Sequence, residues 1–468
     1  LSDEELRSLE RAARERPFDT EAAWLLARAL ERDGRRRALH LELARLARQG
    51  EAEARGRIAS WVVRPSLRSS LQPRAARPAA LAKVSRMQKL ETTSPMVAGV
   101  LATSRHLVVV HRVRGFTVLG LRDLEQRFSL QDVDGCREQV VALRGDDVVH
   151  AVGAGLALRD AETGDVLATV ALPGAPTHLS IEGDRAVVAV ASESGEARLI
   201  GLDAGASFGR ELWSAPVESG RAVVALLASG GRAFAAIGDR LELGEGFLRI
   251  SLEARGLEDG ARAWSRIFVN DDVAWVDELS FPGSDEQGLF VAWCFPTKEE
   301  SLVQLDAATG EESWLVHGAG RPSSTAFLRR MAFVASDDVV VFETPESSAR
   351  QSARSDRLRV FDRATRAERW NAVVPGRDAG PGAALARDAL YVTLSAGKTL
   401  ALATLSLGDG APALRVDLGI ELGSFFRNTA HLLPLEGAVV VVAWSLSRED
   451  ENAIDPSVHR LVVARVEE

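Results

Sequence analysis

Three acidic groups could supply hard oxygen ligands of the kind calcium takes. Two are Asp271-Asp272 with Asp277-Glu278, and Glu449-Asp450-Glu451 with Asp455. Neither follows the Asp-x-Asp-x-Asp-Gly order of a calcium loop. The third, Asp132-Val133-Asp134-Gly135, begins in that order and breaks off at Cys136 and Arg137. All three are read as solvated hairpins. The eight histidines (His40, His106, His111, His150, His178, His317, His431, His459) are scattered, without His-x-x-x-His spacing. His150 and His317 fall at expected strand ends, where a hydrogen-bonded structural role is the reading. Neither a Gly-x-x-x-x-Gly-Lys-Ser/Thr phosphate loop nor a Gly-x-Ser-x-Gly elbow occurs. Cys136 and Cys294 are too few for a disulfide framework, fit a reducing compartment, and are read as small packed residues. No catalytic, cofactor-binding or metal-binding residue is assigned, and no cofactor is expected.

The elements that would carry any site repeat along the chain. The clearest copy is Leu305-Asp306-Ala307-Ala308-Thr309-Gly310-Glu311-Glu312-Ser313-Trp314. Partial copies run from Leu158-Arg159-Asp160 through Thr163-Gly164 to Leu167, from Leu202-Asp203 to Trp213, and from Phe361-Asp362 through Thr365 to Trp370. Eroded ones reach Phe128, Trp264 and Leu414. The anchors recur at roughly 40 to 55 residues, a spacing that suits four short strands per unit. Each part has a physical purpose. The Asp carboxylate can accept a backbone N–H inside the turn. The Gly supplies positive φ where the chain reverses. The Trp offers a large apolar face to a neighbouring sheet. Trp314 is therefore expected to be wedged between sheets, with removal of its ring costing about 3–5 kcal/mol. Between the phrases lie apolar runs such as Ala186-Val187-Val188-Ala189-Val190 and Val439-Val440-Val441-Val442, which read as buried strands.

The phrase resembles the PQQ-like (quinoprotein-type) β-propeller repeat, Leu-Asp-x-x-Thr-Gly-x-x-x-Trp. Residues 305–314 match it fully. The resemblance implies a mainly β fold: an eight-bladed β-propeller, with seven blades as the alternative, over residues 86–468. Lys89-Leu90-Glu91-Thr92 precedes the first unit without a partner of its own. The last unit, ending at Leu461-Val462-Val463-Ala464, has no trailing anchor strand. Pairing the two would remove a raw sheet edge. The resemblance supports the scaffold and not quinone chemistry. Quinoprotein dehydrogenases often carry a vicinal Cys-Cys disulfide, which is missing here, and no cofactor ligand or catalytic Asp can be carried over.

Residues 1–62 differ in pattern and read as a small all-α helical module. One helix is expected to carry Trp24, Leu26, Ala27 and Leu30, capped by Asp19 or Thr20 and ended at Gly34. A helix before it and two after it are also expected. Leu26, Ala27, Leu30, Gly34, Leu39, Leu43 and Leu46 are spaced as in one tetratricopeptide-like or repeat-companion unit. Residues 63–85 form a basic Pro/Ala/Arg linker, with Pro65, Pro73 and Pro78 interrupting regular structure. A polar insert spans Thr344 to Arg357. The net charge of −9 argues against nucleic acid as a partner. No run of about 18 apolar residues predicts an integral membrane segment. The expected function is a non-enzymatic protein-interaction scaffold with a protein partner, its oligomeric state open and its location cytoplasmic. The alternatives are a quinone-cofactor-dependent oxidoreductase or other small-molecule enzyme using the propeller funnel, and an outer-membrane protein assembly factor with a signal upstream.

Overall fold

The computed structural model describes residues 9, 20–32, 46, 69–71, 83–92, 97–111, 115–131, 133, 138–192, 195–240, 247–268, 278–285, 288–294, 301–317, 333–335, 339–345, 355–375, 383–385, 389–396, 399–421, 430–435, 438–445 and 459–467. The chain divides into two compact units, Leu1–Val63 and Arg64–Glu468.

In the first unit the helix Thr20–Arg32 forms where its apolar spacing places it. Ala23, Leu26, Ala27 and Leu30 bury one face together with Leu46, and Leu9 and Trp24 pack against them. The three other expected helices lie outside the described residues, apart from isolated helical positions at Leu9 and Leu46.

The second unit is mainly β. Among the described residues its strands form seven four-stranded antiparallel sheets and one five-stranded sheet, in chain order apart from the early strands Ser69–Leu71 and Lys83–Thr92, which join later sheets. The innermost strands run Val97–Ala102, Val141–Arg144, Ala175–Glu182, Arg221–Ser229, Glu278–Asp285, Phe333–Ala335, Ala383–Leu385 and Ala430–Leu435. Each lies beside the next, except that Ser69–Leu71 stands between Glu278–Asp285 and Phe333–Ala335 and lies beside both, and the last lies beside the first. The core sits between the sheets. One cluster joins Leu179, Val188 and Ile200 of the third sheet to Val149 and Leu158 of the second. Val187, Ala189 and Leu199 of that third sheet pack instead against Phe234's strand neighbours Ala233 and Ala235 in the fourth. Successive strand residues point to opposite faces, and both faces are covered. That is why Ala186–Val190 is apolar without alternation.

The repeat phrase builds the turn before each outer strand. Asp306 Oδ1 accepts from the amides of Ala308 (2.9 Å) and Thr309 (2.7 Å) and from the Thr309 hydroxyl (3.0 Å). These bonds hold its carboxyl below the usual carboxylate range, the Thr309 amide contributing most. Asp160 and Asp362 do the same with Thr163 and Thr365. The residue at the Gly position donates its N–H to the carbonyl four residues back, as in Gly310 to Asp306 (2.8 Å). Leu124 (φ 58°) and Arg366 (φ 63°) occupy the same left-handed position without being glycine, and make the same bond.

The anchor ring then crosses to the next sheet. Trp213 donates from Nε1 to Leu257 O (3.0 Å), Trp264 to Ala307 O (3.0 Å) and Trp370 to Leu407 O (2.9 Å). Each carbonyl lies three residues before the Gly position of the following turn. The ring lies flat on that glycine: a Cβ on Gly260 would come within 2.5 Å of Trp213, and one on Gly310 within 2.7 Å of Trp264. Phe128 covers Gly164 in the same way.

One expectation needs correction. Leu167 is not the second unit's anchor. The pairing skips from Val166 to Ala168, so Leu167 is a bulge residue, 53% exposed. Ala168 takes the anchor register, and Val170 covers Gly209 instead. Trp314 is half-buried, as are Trp264 and Trp370. It faces a turn with Arg366 in place of glycine, and meets the next sheet edge-on through Phe361, centroids 5.6 Å apart.

The early strand pairs with the end of the chain as expected, but starts earlier. Lys83–Thr92 runs antiparallel to His459–Glu467, with Leu90 opposite Leu461. Arg465 donates to Leu121 O (2.9 Å), which ties this last sheet to the first. Within the expected linker, Ser69–Leu71 also pairs, parallel to Phe333–Ala335. The polar insert, residues 346–354, lies outside the described residues, between the paired strands Val339–Pro345 and Ser355–Asp362.

Two measurements follow from these contacts. Trp213→Ala should lower unfolding free energy by about 3–5 kcal/mol, and Trp314→Ala by clearly less, read from urea midpoints. Gly310→Ala should cost about 1–3 kcal/mol from its left-handed backbone alone, whereas Arg366→Gly, which relieves such strain, should cost nothing or add up to about 1 kcal/mol.

Candidate functional site on the inner rim

The inner strands of the third, fourth and fifth sheets carry polar side chains that no turn requires. Bulges break the pairing of several of them: between Val97 and Gly99, Pro176 and His178, Val223 and Ala225, and Ser280 and Gly283. A bulge releases backbone groups from the ladder and re-aims a side chain. Val224 O is one such group, and His178 of the preceding sheet reaches it through Nε2 at 3.1 Å. A carbonyl can only accept, so Nε2 carries the proton. Nδ1 lies 3.3 Å from Thr177 Oγ1.

The seam continues at every second residue. Ser180 Oγ accepts from the Ala228 amide (2.9 Å). Glu182 accepts through one oxygen from Gly230 N (2.7 Å) and through the other from Gly231 N (2.9 Å). Both glycines have positive φ, 61° and 71°, which turns their two N–H groups toward one carboxylate. Leu179 and Ile181, at the intervening positions, face back into the core shared with the second sheet. His178-Leu179-Ser180-Ile181-Glu182 thus presents polar atoms to one neighbour and apolar ones to the other. Ser229 extends the pattern with a bond to Ser284 O (3.2 Å) in the fifth sheet.

Further polar groups brace the first two sheets. His106 Nε2 meets Glu162 Oε2 at 2.7 Å, and Arg127 Nε meets Oε1 at 3.0 Å, joining the first sheet to the turn of the second. The His106 bond is the main reason that the Glu162 carboxyl lies below its usual range. His111 Nε2, Thr117 Oγ1 and Ser129 Oγ form a chain with 2.9 Å links across three strands. His150 is fully buried inside Asp147–Val152, not at a strand end. It accepts at Nε2 from Arg159 Nε (2.9 Å), so Nδ1 carries the proton, directed at Ala151 O (3.0 Å). Its structural reading holds. Burial pushes both His111 and His150 down to about 4.

Of the acidic groups weighed for calcium, most members lie outside the described residues. Glu278 opens an inner strand. Among the described residues no three His, Cys, Asp or Glu side chains converge as a metal site would need. Cys136 and His40 lie outside the described residues; Cys294 ends the strand Gly288–Cys294 and His317 ends Glu312–His317. The seam through His178, Ser180 and Glu182 was missed by sequence reasoning. Its only sequence signal is polar residues at alternate positions of one strand. No described helix is long and apolar enough to cross a membrane.

Comparison with known proteins bears on this arrangement. Residues 251–406 match the family model described as outer membrane protein assembly factor BamB. No curated protein matches the chain. Among solved structures it is similar to quinohemoprotein alcohol dehydrogenase ADHIIG from Pseudomonas putida HK5, at TM-score 0.56 and 11% identity over 88% of this chain and 79% of that one. The quinohemoprotein alcohol dehydrogenase from Comamonas testosteroni gives TM-score 0.57 and 9% identity over 85% and 78%. A europium-containing methanol dehydrogenase gives 0.50 and 11% over 85% and 96%. At these identities the likeness is one of fold.

Neutral, buried histidines give a pH signature. The unfolded chain takes up protons near pH 6.5 and the folded one only near 4, so the stability these rings contribute is present above about pH 6.5 and is lost as pH falls toward 4. In a proton NMR titration, the His111 and His150 ring signals should stay unshifted from neutral pH down to about pH 5.5, where an exposed imidazole is mostly protonated.

Proposed function

We propose, from the premise that this chain is a PQQ-like β-propeller repeat protein, that it is a non-enzymatic protein-interaction scaffold. The propeller in this reading has eight blades. The succession of eight sheets, with the last inner strand beside the first, supports that number. It spans residues 86–468 in essence, with its first strand drawn from Lys83 onward, and residues 1–62 form a separate helical module.

The observation that carries the reading is the engagement of the rim chemistry. His178, Ser180, Glu182 and Ser229, which would have to receive a small molecule at this rim, are each bonded to the backbone of the following sheet. Groups so held stiffen a platform; to meet a substrate they would have to abandon a seam and leave buried backbone unpaired. Binding is then left to loops and outer surfaces, which a rigid array displays in fixed geometry. A more specific version has a component of outer-membrane protein assembly as the partner. The family match over residues 251–406 favours it, and it requires that the protein be exported from the cytoplasm.

One assay separates scaffold from enzyme. The purified full chain, supplied with the quinone cofactor, calcium and a range of primary alcohols, should show no dye reduction above the cofactor alone. Turnover that scales with protein concentration would overturn the scaffold reading. Cross-linking in cells followed by identification of the bound protein then tests the assembly version, which fails if nothing of the outer-membrane assembly machinery is recovered.

A further inference from the structure

The chain ahead of the first sheet is tied in at two places, and the directions of those ties fix its path. Neighbouring inner strands run the same way, since His178, Ser180 and Glu182 meet Val224, Ala228 and Gly230 in rising order. The hairpin after an inner strand lies at the same end as the repeat turn: Leu121 N donates to Arg105 O, Ala204 N to Asp184 O and Leu257 N to Gly231 O. This is the turn end of the ring, and the loop end is opposite. Ser69–Leu71 is parallel to Phe333–Ala335, so it passes from the loop end to the turn end. It takes the free inner edge of the sixth sheet and lies beside the inner strand of the fifth. Lys83, opposite Glu467, starts again from the turn end, because Glu467 also pairs with Ala438, just after the last inner hairpin. The chain therefore runs along the inside of its own ring before Lys83–Thr92 closes the outside.

The seam that Ser69–Leu71 fills lacks the fastening of a ring on glycine. Its turn carries Arg366 in the glycine position, and Trp314 meets Phe361 edge-on. Arg363 of the same turn is 3% exposed and sets its guanidinium over the Phe290 ring of the fifth sheet, 4.8 Å from the centroid. The early strand holds its place by little. It is three residues long, against ten for Lys83–Thr92. Pro65 and Pro73 flank it and have no N–H to give, which keeps the pairing short. A contact of this size opens locally, without unfolding of the sheets around it. We propose that Ser69–Leu71 is a releasable plug. Seated, it occupies the inside of the ring, completes the seam between the fifth and sixth sheets, and withholds the inner edge of the sixth from any other strand. Released, it leaves that edge as an acceptor for an extended peptide. The occupant is the chain's own segment, paired there in register. The inference goes beyond the scaffold reading and does not rest on it, since the same plug would bar the funnel of an enzyme.

Hydrogen–deuterium exchange on the full chain, in the parent and two variants, is the test. Ser70→Cys with Val334→Cys places thiols on register partners, and adjacent strands lie within the Cα range that a disulfide spans. Mild oxidation should join the two introduced thiols, distinguished by peptide mapping from Cys136 and Cys294. The second variant, Ser69→Pro with Ser70→Pro and Leu71→Pro, has no N–H left to pair. Exchange at Glu278–Asp285 and Phe333–Ala335 should be slowest with the disulfide closed, faster in the parent and several-fold faster again in the proline variant. Ala175–Glu182, held by its own seam, should exchange alike in all three. Failure of the disulfide to form overturns the proposal, as does a proline variant that exchanges at Phe333–Ala335 like the parent. A proline variant that also loses protection at Ala175–Glu182 overturns it as well, because the segment is then part of the frame and not a plug.

Discussion

The structure depends on one contact made repeatedly: a flat ring from one sheet resting on the bare backbone of the next sheet's turn. The ring has to lie there because its N–H must reach a carbonyl three residues before the glycine, and a buried indole donor left unpaired is costly. The glycine has to be bare because the ring occupies the space a Cβ would need. At the turn that Trp264 meets, Asp306 also holds the amides beside that carbonyl, whereas the turns met by Trp213 and Trp370 have Gly256 and Ser406 in that place. Ring and glycine therefore form one device shared by two sheets, joined by the acid where the turn carries one, and no sheet owns all of it. That is why the sheets have little reason to exist singly and why the apolar core is divided among their interfaces.

Where the device is altered, the surroundings compensate in different ways. Arg366 and Leu124 keep the left-handed turn at the expense of strain, and the ring facing Arg366 is tipped onto Phe361. The second sheet has only Ala168 in the anchor register, and Val170 covers the glycine beyond. In the sector where the third and fourth sheets meet, a second seam of His178, Ser180 and Glu182 supplements Trp213. The polar rim is thus part of the same mechanical system as the rings. The fold is shared with quinone enzymes, but the rim side chains described here serve the frame.

How much of this was legible in the sequence follows from where each signal is written. Asp306, Gly310 and the Asp–Thr turn bonds could be read because donor, acceptor and turn lie within a few residues. Trp213, Trp264 and Trp370 could be read because a large ring is hard to disguise. Leu167 misled because a one-residue bulge shifts the face of a strand without changing its composition. What Trp314, in the best-preserved phrase, rests on could not be read beside it, because the facing turn carries Arg366, some fifty residues later. The rim seam was illegible because its partners are backbone groups of Val224, Ala228, Gly230 and Gly231, which have no side-chain signature. The start of the early strand at Lys83 was hidden by basic, proline-bearing sequence that reads as tether. For function, the sequence could indicate the PQQ-like repeat but not an occupant, since loops and edges are specified by shape more than by motif.

The pairing of Lys83–Thr92 with His459–Glu467 has a consequence for biogenesis. The two strands of this pair lie far apart along the chain, 380 residues between the bonded Ser85 and Arg465. Until His459–Glu467 emerges, Lys83–Thr92 has no sheet to join and stays available to wrong partners while the residues between them are made. Contacts this distant along the chain are slow to form and leave intermediates open to aggregation. Production of this protein should therefore be limited by the interval between synthesis and closure, during which chaperones have the most to protect.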